Sequence, residues 1–190
     1  MAGYRRDPRE IPDIHDLADE IRWIGFSCRR CGACCRAGQG DTGFVFISHD
    51  EVAAIVTAGA GSWDEVAAPW PDFVLCGDGS AVTFGWCLRQ EEGRCRFLGE
   101  DGCTRYECRP WICRTYPFSL AEGELSVSDC PGLGSAISRE EALILAGELL
   151  DRARFEEEDE VRVRAVFASE RIPEGKRCVV DSAGIIFCPD

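Results

Sequence analysis

Four cysteines lie within eight residues near the start of the chain, at Cys28, Cys31, Cys34 and Cys35. Thiolates are soft ligands that favour zinc, copper(I) and iron–sulfur clusters. The two-residue gaps between the first three cysteines allow a tight loop to turn successive sulfurs toward one metal centre. Gly32 suits such a loop because glycine accepts a positive φ at little cost. The spacing therefore predicts a cysteine-ligated metal site.

Nine more cysteines follow, and the total of 13 is odd, which fits poorly with complete internal disulfide pairing. One of the nine, Cys130, directly precedes Pro131. Three close cysteines followed by a remote Cys-Pro are typical of the ligands of ferredoxin-type clusters. The pattern therefore favours an iron–sulfur cluster of the 4Fe-4S type, and an all-thiolate zinc site stays open as the alternative.

The remaining candidate ligands are less simple to place. Cys34 and Cys35 are adjacent, and neighbouring side chains diverge along an extended backbone, so Cys35 is expected to serve a second site or to act as an auxiliary thiol. His15 and His49 are expected at the surface or in a capping region rather than as ligands. An isolated cysteine such as Cys76 is expected to be a small buried apolar residue.

The composition is that of an ordinary globular chain of 190 residues, with 45% hydrophobic and 29% charged residues. The net charge of −13 argues against a general electrostatic attraction to nucleic acid or to an anionic membrane. We find no apolar leader, and no apolar run of the roughly 18–20 residues that a membrane span needs. The expected location is therefore cytoplasmic, where stable disulfides are rare and many thiols indicate metal.

Several downstream motifs, taken with the cysteine loop, resemble those of a known family. They are Cys95-Arg96-Phe97-Leu98, Gly102-Cys103-Thr104-Arg105-Tyr106, the segment from Arg109 to Phe118, and Cys130-Pro131-Gly132. In this order they resemble the YkgJ-type cysteine-cluster (CxxCxxCC) family, a zinc- or iron-chelating domain, over about residues 26–134. The resemblance implies eight metal-ligating cysteines: Cys28, Cys31, Cys34, Cys35, Cys95, Cys103, Cys113 and Cys130. Five others lie outside the pattern and leave room for a further centre: Cys76, Cys87, Cys108, Cys178 and Cys188.

Eight thiols suit either a 4Fe-4S cluster with auxiliary ligands or two zinc sites of four thiolates each. Pro110 is expected to begin a short helical turn that aims Cys113 inward, with Tyr116 packed beside it. Arg109 and Arg114 border this cysteine and are candidate cofactor-binding residues. Each could donate a hydrogen bond to sulfur or form a salt bridge with a carboxylate.

Family members are labelled either as iron–sulfur-cluster proteins or as flagellin lysine methylase-like proteins, so the resemblance implies a metal site rather than one activity. The leading interpretation is a metal-binding protein in a structural or electron-transfer role, whose partners are the metal and a redox or substrate protein. No catalytic residue is assigned.

Two other functions stay open. One is a redox or group-transfer enzyme such as a protein lysine N-methylase. Against it, Gly59-Ala60-Gly61 follows a helix rather than a strand and makes a poor cofactor loop. The other is thiol–disulfide exchange at a Cys-x-x-Cys pair such as Cys28–Cys31, although no βαβ context surrounds the pair.

The predicted fold class is α+β, a small single domain of short strands and a few helices organised around the cysteine-ligated centre. We divide the chain into an N-terminal arm and helix (1–25), a cysteine-cluster metal-binding domain (26–134) and a C-terminal helix and hairpin packed on the same domain (135–190). Asp13 is predicted to cap a helix that ends near Ile24. Ser-x-x-Glu capping boxes predict three further helices, one of them from Arg139 to about residue 156.

Strands are predicted by alternating or short apolar runs at residues 44–47, 73–76, 81–87, 125–128 and 161–167. The last of these is a half-exposed strand, with continuation of the preceding helix as the alternative. A final hairpin is predicted across Ser182-Ala183-Gly184, in a register that places Cys178 opposite Cys188.

Overall fold

The structure is a computed structural model that describes residues 11–36 and 43–188, so the first ten residues of the predicted N-terminal arm lie outside it. Helices and short strands occur together, which confirms the predicted α+β class. The contacts divide the chain into two compact units. The first unit combines Met1–Cys34 with Trp111–Phe155, and the second combines Cys35–Pro110 with Glu156–Asp190. The division of the chain at residues 25 and 134 stays a prediction.

The described residues contain α-helices with the following bounds: α1 Ile14–Ile24, α2 His49–Thr57, α3 Trp63–Val66, α4 Trp111–Thr115 and α5 Arg139–Ser169. Two short 3-10 turns span Ala33–Cys35 and Tyr106–Cys108. The predicted caps are confirmed. The Asp13 carboxylate accepts hydrogen bonds from the first-turn amides of α1. Ser48, Ser62 and Ser138 each bond to the glutamate three residues later, because that pairing satisfies backbone donors that the first turn leaves open.

Short strands complete the fold: β1 Phe46–Ile47, β2 Ala67–Pro69, β3 Val74–Leu75, β4 Ala81–Phe84, β5 Trp86–Leu88, β6 Gln90–Glu91, β7 Arg94–Cys95, β8 Leu98–Gly99, β9 Gly102–Cys103, β10 Phe118–Ala121, β11 Glu124–Val127, β12 Arg177–Asp181 and β13 Gly184–Phe187. They form one sheet of order β1-β5-β2, one of order β13-β12-β4-β3, and the separate pairs β6-β7, β8-β9 and β10-β11. All pairs are antiparallel except β12 with β4.

The first unit has an apolar core built by α1, the first part of α5 and the hairpin β10-β11. Leu17 and Ile21 lie one turn apart on α1 and face the buried Leu149 of α5. Phe118 joins the same cluster and contacts Phe26 edge to face, with ring centroids 5.7 Å apart. Because Phe26 lies only two residues before Cys28, this packing anchors the chain at the start of the loop.

The second unit contains both larger sheets. A single glycine lies between β4 of one sheet and β5 of the other. The predicted strand 81–87 is wrong as a single element, since β4 and β5 belong to different sheets. Gly85 lies between them with φ +81°, a conformation that a side chain strains. A Cβ atom at Gly85 would also lie 2.6 Å from the ring of Phe46, so only glycine fits this break.

Residues 161–167 continue α5, so the predicted strand is wrong and the alternative of helix continuation is confirmed. Val163 and Val166, three residues apart, both pack against the apolar cluster of the second unit. Arg164 pairs with Glu160 one turn earlier, at 2.7 Å. The helical contacts therefore override the alternation of apolar and charged residues in the sequence.

The C-terminal hairpin forms, but its predicted register is wrong by one residue. Cys178 pairs with Phe187 instead of Cys188, so the turn contains two residues rather than three. Asp181 explains the shorter turn, because its Oδ1 accepts a hydrogen bond from the Ala183 amide at 2.9 Å. None of the helices described has the length and apolar composition that crossing a membrane requires.

Candidate metal centre

The four-cysteine loop begins at Cys28, four residues after the end of α1. None of the thirteen cysteines, all of which lie in the described residues, forms a disulfide. Cys28, Cys31 and Cys34 are exposed. Gly32 adopts φ +69°, as the tight loop predicts, and the 3-10 turn Ala33–Cys35 ends the loop. The loop therefore presents three thiols at the surface of the first unit.

A short antiparallel contact holds the chain before the loop against a distant turn of the same unit. Phe26 and Leu133 form an isolated β-bridge. The amide of Ser27 donates a hydrogen bond to the carbonyl of Gly132 at 3.1 Å. Since Ser27 directly precedes Cys28, the bridge brings the start of the loop to the turn that carries the Cys-Pro motif.

In the Cys-Pro turn, two backbone amides that follow Cys130 in the chain approach atoms of Cys130. The Gly132 amide approaches Cys130 Sγ at 3.5 Å, and the Leu133 amide donates to the Cys130 carbonyl at 3.1 Å. A Cβ atom at Gly132 would lie 2.3 Å from the carbonyl oxygen of Ser27. The close approach of the two segments therefore requires glycine, and an N–H group faces the sulfur of Cys130.

Tyr116 contacts the segment that leads into the Cys-Pro turn. Its hydroxyl donates a hydrogen bond to the carbonyl of Asp129. Burial raises the pKa of Tyr116, and negative charge at Cys130, Cys34, Asp129 and Cys31 raises it further. The contact with Asp129, which directly precedes Cys130, places this phenol beside the Cys-Pro turn.

In the second unit, three of the predicted ligands lie on short paired segments. Arg36 and Arg94 form an isolated antiparallel bridge, and Cys35 and Cys95 are the next residues on one side of it. Cys95 ends the hairpin β6-β7, and Cys103 ends the hairpin β8-β9. The two hairpins follow each other in the chain, and each has a two-residue turn. Cys95 and Cys103 therefore occupy equivalent positions at the ends of consecutive hairpins.

Within residues 11–36 and 43–188, no three His, Cys, Asp or Glu side chains converge closely enough to hold a metal ion. The chemistry of the donors still fits iron or zinc, because the loop supplies four thiols within eight residues and an amide donor faces the sulfur of Cys130. Metal binding is coupled to folding, and ligands of such sites complete their geometry around the metal.

A family model named CxxCxxCC and described as "putative zinc- or iron-chelating domain" matches residues 27–131, more than half of the chain. The chain belongs to the CxxCxxCC family. This result confirms the family resemblance seen in the sequence, and it supports binding of zinc or iron without distinguishing the two. No curated protein and no solved structure matches the chain significantly.

The two arginines of the CxxCxxCC stretch that are candidate cofactor-binding residues lie in different units. Arg114 forms a salt bridge with Glu148 at 2.5 Å, and its guanidinium lies 4.6 Å from the ring centroid of Trp111. Arg109 stacks on Tyr106 at 3.5 Å and donates to its carbonyl at 2.8 Å. Arg114 therefore has the carboxylate partner that the sequence indicated, and hydrogen bonding to sulfur stays a prediction for both.

The short helix expected after Pro110 is confirmed as α4, and Cys113 lies half-buried in its middle. The buried Thr115 fixes the end of this helix, because its hydroxyl donates to the carbonyl of Trp111 at 3.0 Å and accepts from Arg152 at 3.0 Å. Cys113 is thus held on a rigid element three residues before Tyr116.

Among the cysteines outside the CxxCxxCC pattern, Cys76, which was expected to be buried, and Cys108 are half-buried, whereas the other three have thiols whose pKa burial raises. Cys87 and Cys178 are buried, and burial raises the pKa of both thiols. The Cys87 thiol donates to the carbonyl of Ala68 at 3.5 Å. Cys188 is half-buried and its pKa is also raised by burial. These are thiols that stay protonated, which suits packing rather than metal binding.

One cluster of polar residues was missed by the sequence reasoning. His49, expected at a cap or the surface, lies with its Nδ1 3.0 Å from Asp181 Oδ2. The same oxygen accepts a hydrogen bond from the indole of Trp86 at 2.7 Å. No local motif indicates this cluster, since His49 and Asp181 are 132 residues apart in the chain.

Proposed function

We propose that the first unit holds a 4Fe-4S cluster through Cys28, Cys31, Cys34 and Cys130. The observation that supports this ligand set best is the hydrogen-bonded bridge between the chain before Cys28 and the turn after Cys130. It places the backbone at the start of the cysteine loop beside the turn that carries the remote cysteine, although the two segments are far apart in sequence. The charge interactions of Tyr116 with Cys130, Cys34 and Cys31 support three members of this set.

The choice of iron–sulfur over zinc rests on the ligand pattern. Three close cysteines with a remote Cys-Pro are typical of ferredoxin-type clusters. The Gly132 amide that faces Cys130 Sγ is the type of hydrogen bond that adjusts the potential of such clusters. Four thiolates also bind zinc, so zinc is the alternative metal for the same residues.

The other four family cysteines receive a subsidiary role in this proposal. Cys35, Cys95 and Cys103 would form a second thiol set in the second unit, and Cys113 would serve as an auxiliary thiol in the first. The bridge beside Cys35 and Cys95 supports the second set. Arg109 and Arg114 would then adjust the charge around the thiolates, because positive charge stabilises the anionic form.

We propose an electron-transfer or structural role for the centre. When bound, a 4Fe-4S cluster supplies one-electron transfer. The exposure of Cys28, Cys31 and Cys34 leaves the loop accessible to a redox partner protein. The same loop, fixed to the Cys-Pro turn by the Ser27 amide, would also link two segments of the first unit, which is the structural role.

The deciding experiment is the measurement of iron, zinc and acid-labile sulfide in protein purified without oxygen, together with its absorption spectrum. Brown protein with iron and sulfide in equal amounts and broad visible absorption would support the cluster. Colourless protein with about one or two zinc ions per chain would overturn the iron–sulfur proposal and leave a thiolate zinc site.

The ligand assignment needs its own variants in the same experiment. Cys31→Ser should lose the metal and be strongly destabilised, because metal binding contributes to folding. Cys76→Ser, outside the family pattern, should keep the metal. Equal metal content in the wild type and Cys31→Ser would show that the loop does not bind the metal.

A further inference from the structure

The second unit contains a cleft of about 550 Å³ that lies outside the chelating residues. Its volume falls in the range of small-molecule sites, which are mostly apolar with a few fixed polar groups. Its apolar wall includes Pro69, Ile186 and the rings of Trp63 and Phe187. Phe187 is 54% exposed, so part of this apolar wall is accessible, and a ligand that covers it gains free energy from the buried area.

A buried carboxylate fixes the imidazole that lines the same cleft. Asp181 is 1% exposed, and its Oδ2 lies 3.0 Å from Nδ1 of His49. The carboxylate also accepts hydrogen bonds from the indole of Trp86 at 2.7 Å and from the amide of Ala183 at 2.9 Å. An ionised carboxylate is only an acceptor, so Nδ1 of His49 carries the proton of this contact. In the neutral ring the other nitrogen, Nε2, is therefore an acceptor.

Nε2 of His49 is accessible from outside the protein. The two nitrogens of an imidazole point in different directions, so the contact of Nδ1 with Asp181 leaves Nε2 pointing away from the carboxylate. The side chain of His49 is 27% exposed and lines the cleft. Within the described residues, Nε2 has no hydrogen-bond partner and is not one of the enclosed polar atoms that lack a partner. Trp63 packs against the imidazole, with ring centroids 4.8 Å apart, and supports this orientation.

The other polar groups along the cleft give a ligand no comparable contact. Trp63 Nε1 and Arg89 Nε are enclosed by protein, so a molecule in the cleft does not reach them. Arg89 also donates through Nη2 to the carbonyl of Ala67 at 3.4 Å. The charges of Arg89 and Asp64, which both line the cleft, are opposite and offset each other. Burial raises the pKa of Cys188, so this thiol adds no negative charge at neutral pH.

We propose that this cleft binds a small, uncharged and mainly apolar molecule that carries a hydroxyl group, of the phenol type. Its apolar part covers Trp63, Ile186 and Phe187, and its hydroxyl donates a hydrogen bond to Nε2 of His49. A hydroxyl fits because it is an uncharged donor, whereas a ligand without a donor leaves Nε2 covered and unpaired. Asp181 is a positioning residue, because it acts on the ligand only through the tautomer and orientation of His49.

The site is independent of the metal proposal, since none of these residues is among the proposed metal ligands. The experiment titrates the full chain, purified with its metal, with naphthol and with methoxynaphthalene, which keeps the rings and lacks the hydroxyl donor. The chain has two histidines, so proton–nitrogen correlation spectra contain two imidazoles, and His49→Phe assigns them. Naphthol should shift the Nε2 resonance of His49 saturably and leave that of His15, on α1 of the other unit, unchanged.

Calorimetry measures the selectivity for the hydroxyl. Methoxynaphthalene should bind the wild type about tenfold more weakly than naphthol does. His49→Phe keeps a ring and removes the acceptor, so the two compounds should bind this variant with equal affinity. Asp181→Asn replaces an acceptor with an amide that can donate to Nδ1. It should populate the tautomer with the proton on Nε2 and lower the preference for naphthol, and a loss of stability alone would not change the tautomer.

Two phenylalanine variants test whether the ligand lies in the cleft. Phe187→Ala removes part of the apolar wall and should weaken the binding of both compounds by a similar factor, about three- to tenfold. Phe167→Ala is the control, because it removes a ring that is 47% exposed and does not line the cleft. It should bind both compounds as the wild type does. Circular dichroism of each variant confirms that a loss of binding is not a loss of fold.

Three results would overturn the proposal, and the first two need no variant in the binding measurement. One is the absence of a saturable shift at Nε2 of His49 with naphthol. The second is equal affinity of the wild type for naphthol and methoxynaphthalene, which would show that the hydroxyl is not recognised. The third is wild-type affinity of Phe187→Ala for both compounds, which would place the bound molecule outside the cleft.

Discussion

The cysteines of the chelating loop and those of the second unit's sheets carry the same side chain in opposite environments. Cys28, Cys31 and Cys34 are exposed, whereas Cys87 and Cys178 are 2% and 0% exposed. Burial raises the pKa of the second group, because the charged thiolate loses its hydration. A cysteine can therefore be a ligand where solvent or a cation stabilises the thiolate, and a small apolar residue where neither is present.

The contrast between exposed and buried cysteines shows that the number of cysteines does not identify the metal ligands. Thirteen cysteines in one chain indicate metal, but they do not identify the ligands. Spacing identifies the loop, because dense cysteines have little other physical reason. Burial then identifies Cys87 and Cys178 as packing thiols, but it does not exclude every other buried cysteine, since Cys95 of the family pattern is also buried.

The largest expected effect is on metal content. Cys130→Ala should reduce bound metal at least tenfold, because it removes the remote ligand of the proposed centre. Cys87→Ala makes the same change at a buried strand position and should leave metal content unchanged. Elemental analysis of both proteins, purified without oxygen, tests the contrast. Equal metal loss in the two variants would remove the distinction between the two groups of cysteines.

Removal of the metal should loosen the first unit near the loop more than the sheets of the second. After chelation, the amides of Ser27 and Gly134 should exchange with solvent at least tenfold faster, because they hold the bridge beside the proposed ligands. The amide of Val179, in the buried strand β12, should keep its protection. Hydrogen exchange followed by mass spectrometry or NMR measures both. Unchanged exchange at Ser27 would contradict the coupling.

Crowding at the Cys-Pro turn gives a smaller effect on stability. Gly132→Ala should lower the free energy of unfolding by about 1–3 kcal/mol, because the added Cβ meets the backbone of Ser27. Gly77→Ala is the control, since a Cβ there meets nothing within 4 Å. Urea unfolding of the two variants measures the difference. A neutral Gly132→Ala would show that the bridge adjusts at no cost.

The smallest expected effect is on the pH dependence of stability. Burial raises the pKa of Cys87 and Cys178, so the folded state keeps protons that the unfolded chain loses first as the pH rises. This contribution is fully present below the unfolded thiol pKa of about 8.5 and is lost above it, by at most about 1.4 kcal/mol per pH unit for each thiol. Urea unfolding between pH 7 and pH 10 tests it, and Cys87→Ala should flatten the decline.

Local chemistry made part of this fold predictable. The caps at Asp13, Ser48 and Ser138 are correct, because a capping side chain and its partner amide lie within three residues of each other. The positive φ predicted at Gly32 is also correct, because the tight turn of the loop itself requires it. The cysteine loop and its family were also evident, because the spacing of the ligands is written in the sequence.

Contacts between distant segments could not be predicted in the same way. Gly85 ends one strand because the ring of Phe46, from another strand, occupies the space of a side chain. The hairpin register depends on how Asp181 closes the turn, and the same carboxylate contacts His49 from far along the chain. The period-2 pattern of residues 161–167 predicted a strand, but these residues are helical in α5. The contacts that stabilise the helix there come from distant segments of the folded chain.

The bridge between Phe26 and Leu133 also brings the two ends of the family-matched stretch next to each other. The family-matched stretch begins at residue 27 and ends at residue 131, and the backbone of Ser27 is 3.1 Å from that of Gly132. A segment whose two ends meet can be inserted into a host loop without forcing the flanking chain apart. The chelating stretch thus has its two ends together but is not complete by itself, because α1, α5 and β12, which supply its core contacts and a strand partner, lie outside it.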